Sequence, residues 1–320
     1  LTDIPDMLKQ IISNIIIKNK FKLENIDFIS VTITAELSDA FRTKREGISI
    51  ILDALKIVFD DKKLVFIDNS GKFIKIQDAR KDYTTVAAAN WVSTALFLGQ
   101  SVSKCILIDA GSTTIDIIPI LNSLPVAKGN NDVSRMRNHE LIYTGGLRAT
   151  IPSITHFVLY KGRKIRISFE KFALISDVHR ILNNISEDQY INDTADNRSK
   201  SIEGCYARLA RIICLDIESI TKEELYEIAR YIYKEQLKLI SDEISTFYDE
   251  LIERLPEFKD NALFVITGLA AEFLIRKSLE YLGFDNIKYY EEITKVPDNI
   301  SSSAFAVAGA LYLQIGNKLN

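Results

Sequence analysis

Cysteine is scarce in this sequence, and neither sign of charge dominates. Three cysteines in 320 residues, Cys105, Cys205 and Cys214, are too few and too scattered for a disulfide framework or a tetrahedral zinc site. The net charge of −3 argues against a protein that binds nucleic acid through its phosphates. No apolar run approaches the ~20 residues that span a bilayer, and no basic flank with an apolar segment opens the chain. We expect a soluble, cytoplasmic protein without a nucleic-acid or membrane partner.

The composition is that of a folded chain. Hydrophobic residues make up 47% of the sequence and charged residues 26%, which excludes a disordered or fibrous protein. The length of 320 residues predicts about two domains. Strand-like runs at 105–109 and 262–267 alternate with helical periods, of which the longest covers 222–255 and ends at Pro256. This alternation predicts an α/β fold.

Glycine and threonine mark several predicted element boundaries. Thr85 predicts the start of a helix that Gly99 stops, and Gly283 closes a helix that begins at Ala270. Residues 157–169 read as a hairpin that turns at a lysine and a glycine. No stretch rich in Pro, Gly or Ser separates the halves, so we expect two domains that share an interface.

A turn rich in glycine and hydroxyl groups is the sharpest motif. Apolar strands flank Gly111–Thr114, and Asp109 ends the first of them. Backbone N–H groups of such a turn can point into one concavity and form a neutral cradle for phosphate oxygens. Asp109 is placed to hold a divalent cation against those phosphates. An ordinary hairpin with a hydroxyl-rich turn is the alternative.

A second glycine turn follows the predicted strand at 262–267. Gly268 lets a ligand approach the backbone, and the helix that follows favours an anion at its N-terminus. A tight connection that needs a positive φ explains the same glycine. Two such turns in separate halves favour a binding cleft between the domains.

These motifs resemble those of the actin/Hsp70/sugar-kinase superfamily. The turn at 109–114 resembles its second phosphate motif, Thr267-Gly268 its adenosine motif, and the small-residue helix at 304–310 its second connecting motif. The resemblance implies a two-domain, actin-like (ribonuclease H-like) ATPase fold. Its first α/β domain would cover 1–120, and its second would cover 121–320 with an inserted hairpin and polar loop. The C-terminal helix would return to the first domain.

Further stretches are similar to archaeal hydantoinase/oxoprolinase-like proteins linked to tetrahydromethanopterin-dependent one-carbon metabolism. They lie at 34–39, 44–47, 87–91, 138–148, 193–196 and 208–216. The similarity runs from about residue 28 to 310. Members of that family begin with an Asp-x-Gly-Gly-x-x-x-Lys phosphate hairpin that this sequence does not contain, so we expect an N-terminally truncated first domain.

The family resemblance implies a transferase of methanofuran biosynthesis. Such an enzyme joins γ-glutamyltyramine to an aminomethylfuran diphosphate and releases diphosphate. Gly111–Thr114 and Gly268 would bind the phosphates, and Asp109 would hold Mg²⁺. Glu36 or Asp39 would accept the phenol proton, although Asp39 can also cap a helix.

The resemblance also suggests residues that bind the substrates. Asn90 and Trp91 would form a wall for the furan or phenol, or Trp91 packs in the core. Arg148 would grip the diphosphate or a carboxylate, or it forms a surface ion pair. Asp193 and Asp196 would bind the cation or the amino group, or they form Asx turns.

The remaining polar residues fit structural roles. His139, His156 and His179 lack metal-ligand spacing, so we interpret all three as structural or exposed. Arg208 and Arg211 lie a helical turn apart and fit an internal ion-pair network as well as a ligand site.

Two other functions stay open at this point. One is an ATP-dependent enzyme, either a small-molecule kinase or a hydantoinase/oxoprolinase-type enzyme, although no Gly-x-Gly-Asp kinase motif occurs in the second half. The other is a non-catalytic nucleotide-binding scaffold. A homodimer is also left open.

Overall fold

A computed structural model describes residues 3–36, 38–299 and 302–319. The helices are α1 (Ile4–Asn19), α2 (Lys44–Val58), α3 (Ile76–Lys81), α4 (Asn90–Gly99), α5 (Asp132–Arg137), α6 (Ile151–Ile154), α7 (Ile175–Ile181), α8 (Ile202–Arg211), α9 (Lys222–Arg254), α10 (Lys277–Tyr281), α11 (Tyr290–Thr294) and α12 (Ser302–Leu319). A π-helical segment, Ala271–Arg276, leads directly into α10. None of the helices in these ranges combines the length and apolar character needed to cross a bilayer.

The strands form two main sheets and a separate hairpin. They are β1 (Ile29–Val31), β2 (Leu64–Ile67), β3 (Phe73–Lys75), β4 (Lys104–Ala110), β5 (Ile115–Leu121), β6 (Leu124–Pro125), β7 (Leu141–Ile142), β8 (Phe157–Tyr160), β9 (Arg163–Arg166), β10 (Phe264–Thr267) and β11 (Ile287–Tyr289). The larger sheet has the order β11-β10-β4-β5-β6, with β7 paired to β5, and the smaller has the order β1-β2-β3. The predicted α/β class is confirmed.

The chain divides into two compact units. The first contains the residues up to Lys104, Ile118–Arg135, and the residues from Tyr290 onward, and the second contains Cys105–Ile117 and Met136–Tyr289. The chain passes from the second unit to the first within β5. The expected domains, 1–120 and 121–320, stay a prediction about the family's architecture.

The first unit is built around the parallel pair β1-β2. All four residues of β2 are buried, and Ile48, Leu52 and Leu55 on the apolar face of α2 share one core with Leu64 and Phe66 of the strand. Helix α12 lies against α4, where the rings of Phe97 and Phe305 meet at 5.8 Å. A strand buried on both faces favours a continuous apolar run, and Leu64–Ile67 is apolar at all four positions.

The second unit is built around three parallel strands. Strand β10 pairs in parallel with both β4 and β11. The 33-residue helix α9 begins with a capping box, in which Thr221 Oγ1 accepts from the Glu224 amide at 3.2 Å and Glu224 Oε2 accepts from the Thr221 amide at 3.0 Å. Pro256 follows its last turn, so the predicted long helix is confirmed.

The predicted start of α4 is wrong, whereas its predicted end is confirmed. The helix begins at Asn90 rather than Thr85, because Tyr83–Thr85 form a short 3-10 turn and Ala88 has a φ of 49°. The helix ends at Gly99, as the sequence predicts, and Gln100 after it keeps right-handed backbone angles, with a φ of −68°.

The narrow space around Gly99 explains why a glycine is required at this position. A Cβ at this position would lie 2.2 Å from the carbonyl oxygen of Ser123. We predict that Gly99→Ala destabilises the protein by about 1–3 kcal/mol, because the backbone at Ser123 must move. Unfolding in urea, followed by fluorescence of Trp91, measures the effect. Gly316→Ala, in the open part of α12, is the matched control and should be neutral or stabilising. Equal stability of the two variants would contradict this assignment.

Candidate functional site

The Gly111–Thr114 turn joins β4 to β5 in the second unit. Asp109 lies one residue before the end of β4 and is half-buried. Within the turn, the Gly111 amide donates to the Thr114 carbonyl at 2.9 Å. The expectation that this amide faces a ligand is therefore wrong, because the hairpin itself uses it.

A neighbouring segment holds the carbonyl side of the turn. The amides of Gly145 and Gly146 donate to the carbonyls of Thr113 and Gly111, each at 2.9 Å. The next two amides, of Leu147 and Arg148, both donate to the Ser112 carbonyl, at 2.9 and 3.0 Å. Four hydrogen bonds thus orient three successive carbonyls toward one segment.

The amide side of the turn has the opposite character. Within the described residues, the amides of Ser112, Thr113 and Thr114 have no hydrogen-bond acceptor. Peptide planarity turns an N–H away from the carbonyl of the same peptide group, so fixing the carbonyls also fixes these amides. The three residues are half-buried. Three adjacent, partly shielded N–H donors form an arrangement that suits an anion.

Glycine is required where backbones meet around this turn. A Cβ on Gly145 would lie 2.7 Å from the Gly111 carbonyl oxygen and equally close to the Thr113 nitrogen. Gly268, with a φ of 92°, would place a Cβ 2.4 Å from the Ala110 carbonyl oxygen and 2.7 Å from Asp109 Oδ1. Gly268 thus has the positive φ that the sequence offered as one alternative, and it also allows the chain's own Ala110 and Asp109 to approach; the approach of a ligand to this backbone stays a prediction.

A buried polar chain supports the segment that holds the turn. Gln236 Nε2, on α9, donates to Thr144 Oγ1 at 3.1 Å and to the Gly145 carbonyl at 3.2 Å. Its Oε1 accepts from His179 Nε2 at 3.0 Å, and Asn184 Nδ2 donates to His179 Nδ1 at 3.1 Å. Complete burial lowers the pKa of His179 to about 3 and keeps the ring neutral. The interpretation of His179 as structural is consistent with this position.

A second polar cluster lies in the first unit. Lys44 contacts Glu36 at 4.0 Å and Asp132 at 3.1 Å. Glu36 is 2% exposed, and its Oε2 has no hydrogen-bond partner among the described residues. Burial raises the pKa of Glu36 against the opposing effects of its backbone and Lys44. Asp39, the other candidate base, is exposed in a turn.

Trp91 lies in the same unit under an arginine. The guanidinium carbon of Arg135 stands 4.3 Å from the centre of the indole ring, and both residues are buried. Asn90 precedes Trp91 at the start of α4, and its carbonyl accepts from the hydroxyl of Ser93. The packing alternative for Trp91 describes its position well, and its role toward a substrate stays a prediction.

The two acidic candidates of the polar loop differ sharply. Asp193 is exposed. Asp196 accepts from Arg208 at 3.1 Å and from Arg211 at 3.0 Å, which helps to lower the pKa of its carboxyl although burial opposes the shift. Arg208 also pairs with buried Asp177 at 2.7 Å. The internal ion-pair network that the sequence left open is present, and both Asp196 oxygens are engaged in it.

Sequence reasoning missed the residues that act through tertiary contacts. Gln236 lies in a long helix whose period gives no sign of a polar role, and Arg135 lies in the short helix α5, which no sequence motif marks. The side chain of Arg148 is exposed, while its amide contacts the turn. The one usable signal was Gly145-Gly146, since adjacent glycines mark close backbone approach.

The chain belongs to the Hydantoinase/oxoprolinase family, whose sequence pattern matches residues 27–314. This confirms the family resemblance. A protein of Methanocaldococcus jannaschii is 35% identical over 293 residues, which cover 91% of this chain and 84% of the relative. It is named (4-{4-[2-(gamma-L-glutamylamino)ethyl]phenoxymethyl}furan-2-yl)methanamine synthase. A protein of Methanococcus vannielii with the same name is 31% identical over 71% of this chain and 99% of its own length.

A solved structure is similar in fold. Nucleotide-free acetone carboxylase, described in a study of ATP-dependent acetone carboxylation, matches with a TM-score of 0.50 and 17% sequence identity. The match covers 82% of this chain but only 37% of the carboxylase chain. At this identity the comparison supports the fold alone.

We predict that Gly145→Ala disrupts the support of the turn and Gly111→Ala does not. The added methyl group of Gly145→Ala meets three backbone atoms at 2.7 Å, whereas the nearest atom to one on Gly111 is 3.7 Å away. We expect Gly145→Ala to lower the unfolding free energy by about 1–3 kcal/mol. Calorimetric melting of both variants tests this, and a wild-type melting temperature for Gly145→Ala would refute it.

Buried His179 predicts a dependence of stability on pH. Its folded pKa of about 3 lies below its ordinary 6.5, so unfolding takes up a proton between these values. The contribution of neutral His179 to the free energy of unfolding is complete above pH 6.5 and decreases as the pH drops toward 3. The measurement is the pH dependence of the melting temperature. His179→Gln should lose this one-proton contribution, and exposed His156→Gln should retain it. The same slope in both variants would contradict the assignment.

Proposed function

We propose that this chain is a transferase that forms the aryl ether of a phenoxymethylfuran amine. The names of the two curated relatives describe a product in which a γ-glutamylaminoethyl phenol is joined through oxygen to a furan methylene. Their identity to this chain, over most of its length, supports the same reaction here. The substrates would be the small molecules γ-glutamyltyramine and an aminomethylfuran diphosphate.

The reaction needs one bond to break and one to form. The phenol oxygen attacks the furfuryl carbon, the bond from that carbon to the diphosphate oxygen breaks, and diphosphate leaves with the electron pair. The phenol proton passes to a base. Charge accumulates on the leaving group in the transition state, so oriented donors around the diphosphate accelerate the step.

The observation that carries the proposal is the amide face of the Gly111–Thr114 turn. Ser112, Thr113 and Thr114 offer N–H donors that no other part of the described chain accepts. The amide of Arg148 donates to the Ser112 carbonyl, which places this residue beside the turn. Its exposed side chain can extend toward a phosphate. We assign this turn to the diphosphate, with Gly268 giving Asp109 room beside it.

We further propose the two-domain, actin-like ATPase type of fold for the chain. The parallel order β11-β10-β4, the phosphate-type turn after β4 and the glycine turn after β10 support it. The similarity to acetone carboxylase is consistent with this fold and carries no reaction.

Mg²⁺ fits the carboxylate next to the turn. No group of three or more His, Cys, Asp or Glu residues that could cage a metal occurs in the described residues. Mg²⁺ commonly binds through one or two carboxylates together with phosphate oxygens and water, which suits Asp109 as its protein ligand. When bound, the ion would neutralise charge on the diphosphate.

Glu36 is the stronger candidate for the base. Burial raises its pKa, and Oε2 has no partner in the described chain, so the group has both the basicity and the free oxygen that proton transfer requires. Asp39, by contrast, is exposed to solvent in a turn. The assignments of Asn90, Trp91 and Asp193 to substrate binding stay predictions.

We predict that Asp109→Asn abolishes diphosphate release with little loss of stability. The assay incubates the chain with Mg²⁺, the furfuryl diphosphate and γ-glutamyltyramine, and measures diphosphate together with the ether product. The expected loss is at least about 100-fold, since charged ligands of catalytic ions contribute several kcal/mol. Exposed Asp285→Asn is the matched control and should react like the wild type.

Three outcomes separate the functions. Ether formation that depends on both substrates and on Asp109 supports the transferase. ATP hydrolysis without dependence on the furan would establish the ATP-dependent alternative instead. Bound nucleotide without turnover would favour a scaffold.

A further inference from the structure

The first unit contains a polar cavity to which the proposed function assigns no role so far. It has a volume of about 410 Å³ and is lined by Asp68, Asn69, Ser70, Thr84, Thr85, Asn130 and Asn131. This size lies within the range of small-molecule sites. The lining contains no aromatic residue and no lysine or arginine, and Asp68 is its one charged member.

The charge of Asp68 is only partly used by its own loop. Its Oδ1 accepts from the Ser70 amide at 2.8 Å, the Ser70 hydroxyl at 2.7 Å and the Lys72 amide at 2.9 Å. These bonds hold the turn between β2 and β3. No hydrogen bond to Oδ2 occurs within the described chain, so a second carboxylate oxygen is available for a ligand.

The three hydroxyl groups that line the cavity already donate their hydrogens within the chain. The hydroxyls of Thr84 and Thr85 donate to Asp82, at 2.6 and 2.8 Å, and that of Ser70 donates to Asp68. Asn69 Nδ2 donates to the Thr84 carbonyl at 3.2 Å. Asn69 Oδ1 is left buried and without a partner among the described residues. A buried acceptor of this kind favours a ligand that brings a donor.

Asn130 and Asn131, which also line the cavity, use most of their hydrogen-bonding groups with each other and with Ser134. Asn131 Nδ2 donates to Asn130 Oδ1 at 3.0 Å, and Asn131 Oδ1 accepts from the Ser134 amide at 3.0 Å. Asn130 Nδ2 is the one amino group of the lining without an acceptor in the described chain. A carboxylate, a buried amide oxygen and no cationic side chain together complement a cation that carries several N–H groups.

We propose that this cavity binds the primary ammonium group of a small molecule, with Asp68 as the charged acceptor and Asn69 Oδ1 as the buried one. The inference rests on the proposed function for its candidate ligands, because both substrates of that reaction carry a primary amine. A lone metal ion is disfavoured, since a single carboxylate lines the cavity.

Binding measured without turnover tests the proposal. The full chain is titrated calorimetrically with four probes: the aminomethylfuran alcohol, γ-glutamyltyramine, and the N-acetylated form of each. We expect one free amine to bind and its acetylated form to bind at least about tenfold more weakly, because acetylation removes the charge and two donors. The amine that binds identifies the substrate. Equal binding of a free amine and its acetylated form would overturn the proposal.

Asp68→Asn separates this cavity from any other amine site. The amide keeps an oxygen for the Ser70 and Lys72 amides, so the turn is retained while the charge is lost. We expect the dissociation constant of the amine to rise about tenfold or more. Asp60→Asn is the matched control, because Asp60 accepts from the Lys62 amide at 3.0 Å in a turn outside the cavity. Unchanged binding in folded Asp68→Asn would also overturn the proposal.

The two proposals can fail separately. If the amine binds and depends on Asp68 while no diphosphate is released, the cavity assignment stands and the transferase assignment falls. If the ether forms at the wild-type rate while neither amine binds to the cavity, the reverse holds. Should Asp68→Asn fail to fold, equal binding of the free and acetylated amines to the wild type would still overturn the proposal.

Discussion

Four hydrogen bonds from consecutive amides to one turn are the constraint on which the candidate site depends. Residues 145–148 point their N–H groups at the carbonyls of Gly111, Ser112 and Thr113. Because each peptide group is planar, an oriented carbonyl fixes the N–H on its opposite side. A flexible hydroxyl-rich turn thereby becomes a rigid row of donors, and rigidity is what lets donors stabilise charge without reorganising.

The surroundings of the turn serve this constraint. Gly145 and Gly268 allow backbone segments to approach to distances that a Cβ atom would prevent. Gln236, on α9, donates a hydrogen bond to the Gly145 carbonyl. His179 bonds to Gln236 and is neutral, because a charged ring in that fully buried position would destabilise the fold. The site proposed around Asp109 thus depends on Gly145, Gln236 and His179, which support the turn from behind. A phosphate motif alone does not reveal these residues, and so it identifies the site poorly.

The sequence predicted what local chemistry determines. The strands around Asp109, the turn at Gly111–Thr114 and the end of α9 at Pro256 follow from patterns within a few residues. The end of α4 at Gly99 is predictable in the same way, whereas the close approach of the Ser123 carbonyl, which also requires a glycine there, is not. The pairing of Asp196 with Arg208 and Arg211 could not be predicted locally, because only the fold brings the two arginines to it. Family resemblance supplied the reaction, which no pattern of spacing contained.

Amide hydrogen exchange at the turn tests the central claim most directly. Followed residue by residue by NMR, the amides of Ser112, Thr113 and Thr114 should exchange rapidly in the free protein, and those of Gly145 and Gly146 slowly. Addition of diphosphate with Mg²⁺ should slow the first group and leave the second unchanged. Turn amides that are already protected, or that exchange at the same rate with diphosphate present, would contradict the account.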